Sequence, residues 1–475
     1  MKGTKRSRVK STLLPFDVAT ERTDPAVTSF AGLPLAVEAW HALGLGEACE
    51  KHVKLKERQR GMSEAEWIEM LVMLRMAGGE TAADLAALKE DAGLLRIWSL
   101  PEKASPRSVY QFLERFHDKG QPEPQPGKAV IREETAGLKG LAEVNRELLR
   151  RVQKAHPVDE ATLDHDASIH ESTKRSALWT YEGTKGYQPA ATYWAEQGLV
   201  VHDQFRDGNV PAGMGQLDLA KAAFAMLPEG IERRSFRADS ASYDHKLMRW
   251  LDREGIRFAI TADMSKALRA EIEKVAETEW RPVYKRLDGD LTVKTEKQCA
   301  EVAFVPDDGV ARKGERPFRY VSIRVPKQRE LAFDAESDTS GWRHFGICTN
   351  DWDLDAEALI WWHRERCGSV EKLHDILKND EGCGTFPSQH FGANAAWYRL
   401  GIIAYNLQRA MEHVCLPEEW KGERPSTLRF RFFRLAGRIV KHARRHLLVL
   451  STRAAPMLPM LYVAARGLLV DLAGG

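Results

Sequence analysis

The chain has little cysteine for its length and spreads what it has. Six cysteines in 475 residues (Cys49, Cys299, Cys348, Cys367, Cys383, Cys415) form no Cys-x-x-Cys pair. That excludes a zinc ribbon or a dense disulfide framework and points to a reducing compartment. Long apolar runs are missing as well. No stretch of about 20 apolar residues occurs, so no membrane span is expected. The basic start (Lys2, Lys5, Arg6, Arg8, Lys10) runs into Asp17, Glu21 and Asp24 instead of a signal-peptide core, so the expected location is cytoplasmic. Excess charge of one sign is absent too, with 70 Lys and Arg against 68 Asp and Glu. A nucleic-acid surface would therefore need local segregation of charge.

What is present is a globular composition, 43% hydrophobic and 29% charged, in a chain long enough for two or three domains. Residues 1–120 read as a helical N-terminal domain behind a basic arm. Ser63 with Glu66 forms a capping box, and Ser105-Pro106 opens a further helix. A DNA-reading helix-turn-helix fits this segment. Residues 121–155 comprise a Pro-rich linker, Gln121 to Gly127, and a helix from Glu133. Over 156–265 the order is three strands, helix, strand, helix, strand, which predicts an α/β domain with a mixed sheet. The first strand is Ala161–Ser168, and Gln188–Ala195 with Leu199–Phe205 forms a hairpin. Residues 266–352 read as a mostly β insertion. Residues 353–415 return to the core with a helix over His363–Lys378 and a nearly all-apolar helix at Asn394–Leu407. Residues 416–475 are predicted as a basic helical region. Arg431, Arg434, Arg438, Lys441 and Arg445 fall at helical spacing, and Glu423 is the sole acid between Lys421 and Arg453. Such a stripe repels itself unless phosphates meet it.

Three acids carry the candidate chemistry. Asp166 lies on the first strand of the α/β unit, with Asp164 on the same face two residues earlier. Asp239 ends a later strand, where an α/β sheet presents ligands. Glu371 sits on the helix after the insertion, with Lys378 two turns further along its face. Each has a plainer reading: Asp164 as a strand-end acceptor, Asp239 as a turn cap, Glu371 and Lys378 as a solvated face. If the acids converge, their repulsion calls for a divalent cation. Oxygen ligands without sulfur favour Mg2+ or Mn2+. Two such ions about 4 Å apart serve in-line phosphoryl displacement.

The segments Thr162-Leu-Asp-His-Asp-Ala-Ser168, Thr180-Tyr-Glu-Gly183, Lys185-Gly-Tyr-Gln-Pro189, Phe205-Arg-Asp-Gly-Asn209 and Phe236-Arg-Ala-Asp-Ser240, with the helix from His363, resemble DDE transposases of bacterial insertion sequences. The insertion-sequence 1380 group is the most similar. The resemblance implies an RNase H-like catalytic core and a metal-binding triad of Asp166, Asp239 and Glu371, with Asp164 as an alternative ligand. It implies metal-dependent cleavage of terminal inverted repeats, transfer into target DNA and a homodimer on the paired ends, near the nucleoid. The class signature Tyr-x-x-Arg-x-x-x-Glu-x-x-x-x-x-x-Lys is matched by Glu371 and Lys378. His363 stands at the Tyr position, and Arg366 precedes Glu371 by five residues instead of four, which leaves Arg364 and Arg366 both open as the phosphate-binding Arg. In the insertion, Trp280 or Trp342 could stack on an unpaired base. The alternative function is a transposase-derived DNA-binding protein without catalysis.

Overall fold

The computed structural model describes residues 5–7, 18–20, 26–56, 61–98, 104–120, 127–286, 292–306, 316–327, 341–443, 445–450 and 458–474. Most of the basic arm and residues 121–126 of the expected linker lie outside them. Strands β1 (Lys5–Ser7) and β2 (Val18–Thr20) pair antiparallel. After β3 (Val27–Thr28) come helices α1 (Leu33–Ala42), α2 (Leu45–His52), α3 (Glu64–Met76), α4 (Leu85–Glu90) and α5 (Pro106–Leu113). Their starts follow from local chemistry. The Ser63 hydroxyl accepts from the Glu66 N–H, and the Glu66 carboxylate accepts from the Ser63 N–H. α6 (Ala136–Ala155) buries the stripe Leu138, Leu141, Val144, Leu148 and Val152.

The sheet begins with β4 (Glu160–Ala167). Three short strands follow, β5 (His170–Glu171), β6 (Leu178–Trp179) and β7 (Lys185–Tyr187). The chain then re-enters the sheet as the hairpin β8 (Ala190–Trp194) and β9 (Leu199–Gln204), turned at Gly198 with φ +69°. Next come α7 (Gln216–Met226), β10 (Arg233–Ala238), α8 (His245–Arg253), β11 (Arg257–Ala262) and α9 (Lys266–Glu273). The segment expected as an insertion supplies β12 (Arg281–Arg286), β13 (Thr292–Val302), β14 (Arg319–Pro326) and β15 (Trp342–Thr349).

All of these strands except β1–β3 and β5–β7 form one nine-stranded sheet, ordered β12-β13-β14-β15-β11-β10-β4-β8-β9. β4, β10 and β11 run parallel, and the other pairings are antiparallel. The β-rich segment therefore extends the central sheet: β15 pairs with β11, Ala259 opposite Thr349.

α10 (Ala356–Arg364) leads through a 3-10 turn at Glu365–Gly368 to α11 (Val370–Asn379) and the long α12 (Phe391–Val414). α12 is buried on almost every side because it packs against α3, α6 and β9. The N-terminal helices and the sheet consequently share one hydrophobic core. Arg399, buried within α12, is paired with Asp203 at 2.8 Å and Glu134 at 2.6 Å, as a charge in such surroundings requires.

The basic C-terminal segment differs from expectation. After α13 (Pro425–Leu428) it forms a hairpin, β16 (Gly437–His442) and β17 (Arg445–Leu450), before α14 (Leu458–Gly474). β16 also pairs with β3, Gly437 opposite Thr28. A Cβ at Gly437 would stand 2.7 Å from that of Ala31, so this backbone approach needs glycine. Ile439 and Val440 favour the extended state. Arg438 and Lys441, three apart in a strand, point to opposite faces instead of sharing a helical stripe. Among the described residues no helix is long and apolar enough to cross a membrane.

Candidate active site

The parallel pairing of β4 with β10 sets the first two acids side by side. Arg237 lies opposite Asp164 and Ala238 opposite His165. One step further along the same register, at the carboxyl ends of both strands, Asp239 comes beside Asp166. The Asp166 carboxylate accepts the Ala167 N–H at 2.8 Å, and that of Asp239 accepts the Ala241 N–H at 3.0 Å. Asp239 therefore does cap the turn Ser240–Ser242, and it does so at the site. Burial, and then the neighbouring Asp239 charge, push the Asp166 carboxyl up to about 6, with a smaller push from Glu371.

Asp164 has a different fate. It is 0% exposed and grips the Arg237 guanidinium in a fork, Nε to Oδ1 at 2.6 Å and Nη2 to Oδ2 at 2.9 Å. The Ser369 hydroxyl donates to the same carboxylate. Arg237 also donates to Glu365 and to the Trp362 carbonyl, both at 2.6 Å. Asp164 is thus held in a buried ion pair with Arg237. Arg237 and Ser369 were missed from the sequence. The signal for Arg237 was its position in Phe236-Arg-Ala-Asp239, two residues before an acid on the same strand face.

The helix expected across His363–Lys378 is broken. The Ser369 backbone leaves helical geometry at φ −108° and ψ −86°, and its hydroxyl is shared between the Arg366 carbonyl, at 3.0 Å, and Asp164. A hydroxyl bonding back to a local carbonyl competes with the helix, and Gly368 before it lowers the cost of the break. The break changes which residues meet. Arg366 Nη2 lies 3.8 Å from Glu371 Oε1 despite the five-residue spacing, and its charge is felt at Asp166. Its Nε and Nη1 are buried with no hydrogen-bond partner among the described residues. Arg364 leans over the Trp361 ring, 5.7 Å from its centroid. His363 sits at the expected Tyr position as a strut: its Nε2 donates to the Ala238 carbonyl at 3.1 Å, tying α10 to the strand end that carries Asp239. Burial holds its imidazole down to about 4.

Glu371 opens α11 with its side chain 48% exposed. Lys378, in the last turn, is half-buried, which lowers its pKa against the charges of Glu182, Asp375, Glu171 and Asp166. Asp166 and Asp239 are therefore neighbours and Glu371 is near, drawn toward Arg366. Among the described residues no three His, Cys, Asp or Glu side chains are grouped closely enough to hold a metal ion. The donor set nonetheless suits a hard cation, since a half-buried carboxyl beside another acid carries charge that burial disfavours.

The two insertion tryptophans share a cationic neighbour. Arg324 lies 4.3 Å from the Trp280 ring and 4.4 Å from that of Trp342, and Trp280 is buried. Of the basic residues, Arg431 pairs with Glu423 at 2.9 Å and Arg434 is exposed. Arg438, Lys441 and Arg445 lie on the β17-β16-β3 sheet, separate from the one that carries the acids.

A family model described as transposase DDE domain group 1 matches residues 16–468. Among solved structures, the chain is similar to a piggyBac transposase in a synaptic complex with hairpin DNA. The identity is 11% and the TM-score 0.43, over 84% of this chain and 76% of that one. No curated protein matches.

Proposed function

The chain belongs to the transposase DDE domain group 1 family, and from that premise we propose that it cuts the inverted-repeat ends of its own element and joins them to target DNA. The observation that carries this reading is the register that sets Asp239 beside Asp166 at the carboxyl ends of two parallel strands. An RNase H-like core is supported by the run β9-β8-β4-β10-β11, in which the first three strands alternate in direction and the next two run parallel to β4. Placement in the insertion-sequence 1380 group rests on the sequence motifs.

Asp166, Asp239 and Glu371 would hold Mg2+ or Mn2+, with Glu371 released from Arg366 to join the pair. Bound ions would supply Lewis acidity at the attacking and leaving oxygens. Lys378 steadies the phosphate as a point charge, and Arg366 offers unpaired N–H donors to it. The exposed cations of the β16–β17 hairpin and the N-terminal helices hold the DNA ends, and a homodimer pairs two ends.

The test uses duplexes carrying the inverted repeats that flank the gene, with Mg2+ and a target plasmid. The wild type is expected to nick the ends and form strand-transfer products. Asp166→Asn, Asp239→Asn and Glu371→Gln are each expected to abolish both while leaving the gel-shift intact. End cutting that survives Asp239→Asn would sink the assignment. A gel-shift with no metal-dependent nicking by the wild type would instead favour a DNA-binding protein without catalysis.

A further inference from the structure

Two residues before each of the three acids stands a member of a second set. Asp164 precedes Asp166 on β4, Arg237 on β10 precedes Asp239, and Ser369 at the start of α11 precedes Glu371. Residues two apart on a strand share a face and stand roughly 6.6 Å apart. Asp164 and Arg237 also lie opposite each other in the parallel register. Their pair therefore forms a buried layer one step beneath Asp166 and Asp239.

This layer is bonded to the segment that carries Glu371. Arg237 holds Asp164 with Nε and Nη2, and its third nitrogen, Nη1, donates to the Trp362 carbonyl and the Glu365 carboxylate, both at 2.6 Å. The last turn of α10 and the turn after it are thereby tied to β10. The Ser369 hydroxyl reaches back to Asp164, so the residue that opens α11 is tied to β4. From there the helix begins, with the Leu373 N–H donating to the Ser369 carbonyl at 2.9 Å. Glu371 lies on the turn so fixed.

Apolar packing alone would hold α11 less closely. Val370, Leu373, Ile376 and Leu377 are buried beneath the helix, and such burial is non-directional, so it tolerates a shift along or about the helix axis. A hydroxyl bonded to a carboxylate is directional, and this carboxylate is itself locked by a two-bond fork. An ion pair serving stability alone needs no bond to the junction of α10 and α11. This one makes three, to Trp362, Glu365 and Ser369.

We propose that Asp164, Arg237 and Ser369 are positioning residues: the layer they form sets where α11 starts, and so how far the Glu371 carboxylate stands from Asp166 and Asp239. They touch neither DNA nor ion and act through Glu371. The inference rests on the transposase reading for what the three acids do, and adds to it how the acid on the helix is registered against the two on the strands.

Ser369 is the member to change in the full-length protein, since the fork between Asp164 and Arg237 survives its loss and the chain still folds. To keep the Arg366 charge out of the comparison, Mn2+ binding is measured by calorimetry on Arg366→Ala, with and without a second change at Ser369. Adding Ser369→Ala should weaken binding by about tenfold, the scale of one lost hydrogen bond to a charged group. Adding Ser369→Thr, which keeps the hydroxyl, should leave it close to that of Arg366→Ala. Unchanged binding with Ala, or an equal loss with Thr, would overturn the positioning role. On end duplexes Ser369→Ala alone should lower kcat by about tenfold at unchanged KM. A rise in KM alone would overturn it too, because it would put Ser369 on the path of the DNA. Hydrogen exchange reads the anchor without metal or DNA. In Ser369→Ala the amides of Leu373 to Leu377 should exchange about tenfold faster, and those of α12 should not change. Unchanged exchange along α11 overturns the layer even if the protein cuts DNA. Faster exchange in a protein that binds no Mn2+ would keep the anchor and sink the ion site alone.

Discussion

Asp164 and Asp166 share a strand face two residues apart, yet their surroundings assign them opposite tasks. Asp164 is enclosed with Arg237 and Ser369. Asp166 is left without a cationic partner of that kind, and its carboxyl is pushed up by burial and by Asp239. Asp164→Ala should therefore lower the unfolding free energy by about 3–5 kcal/mol in urea titrations, because a buried guanidinium loses its counter-charge. Adding Arg237→Met should recover part of that loss. Asp166→Asn should leave stability nearly unchanged. Comparable destabilisation by both single variants would contradict the division of roles. The pair was legible in the sequence as two acids on one face. Which of them was free was not legible, because Arg237 lies 73 residues away and Ser369 lies 205 away.

The decisive element is the break at Gly368–Ser369. A continuous helix would have directed Arg366 away from Glu371, since five residues span more than one turn. The break brings them together at 3.8 Å, so the guanidinium occupies the place of a counter-ion for Glu371. Arg366→Ala is expected to tighten Mn2+ binding several-fold by calorimetry, and unchanged or weaker binding would place Glu371 outside the ion site. The β16–β17 hairpin is a second case in which the element type changes the consequence. Lys441 and Arg445 remain exposed, although not in one stripe. Lys441→Ala and Arg445→Ala should weaken DNA binding across sequences and each flatten the salt dependence by about one counter-ion. Unaltered slopes in a salt titration would remove the hairpin from the DNA surface. Helical spacing misled here because charges at intervals of three and four do not exclude a strand. Gly437 and the β-branched Ile439-Val440 were the better signal.

Across the whole molecule, the helical N-terminal segment and the sheet form one core through α12, so unfolding should involve them together. That core contains histidines kept neutral chiefly by burial: His170 held down to about 3, His363 and His374 to about 4. An unfolded chain takes up protons on these residues below the ordinary value of 6.5, while the folded protein does not. Their contribution to stability is complete above that pH and is lost as pH falls toward 4, at most about 1.4 kcal/mol per histidine per pH unit. The melting temperature should therefore drop between pH 6.5 and 4.5, and less steeply in His170→Asn. A flat profile over that range would refute this account.

The amino-acid sequence alone determined the features that a few neighbouring residues encode. These are the capping box at Ser63, the β8–β9 turn at Gly198, the alternation of β4 and β10, and the positions of Asp166 and Asp239 at or near strand ends. The tertiary structure decided the rest: the joining of the β-rich segment to the central sheet, the capture of Asp164 by Arg237 and the reach of Arg366 to Glu371. Local periodicity and capping act over one or two turns of chain. Which distant groups meet depends on loop closure and on competition for partners, which no local stretch contains.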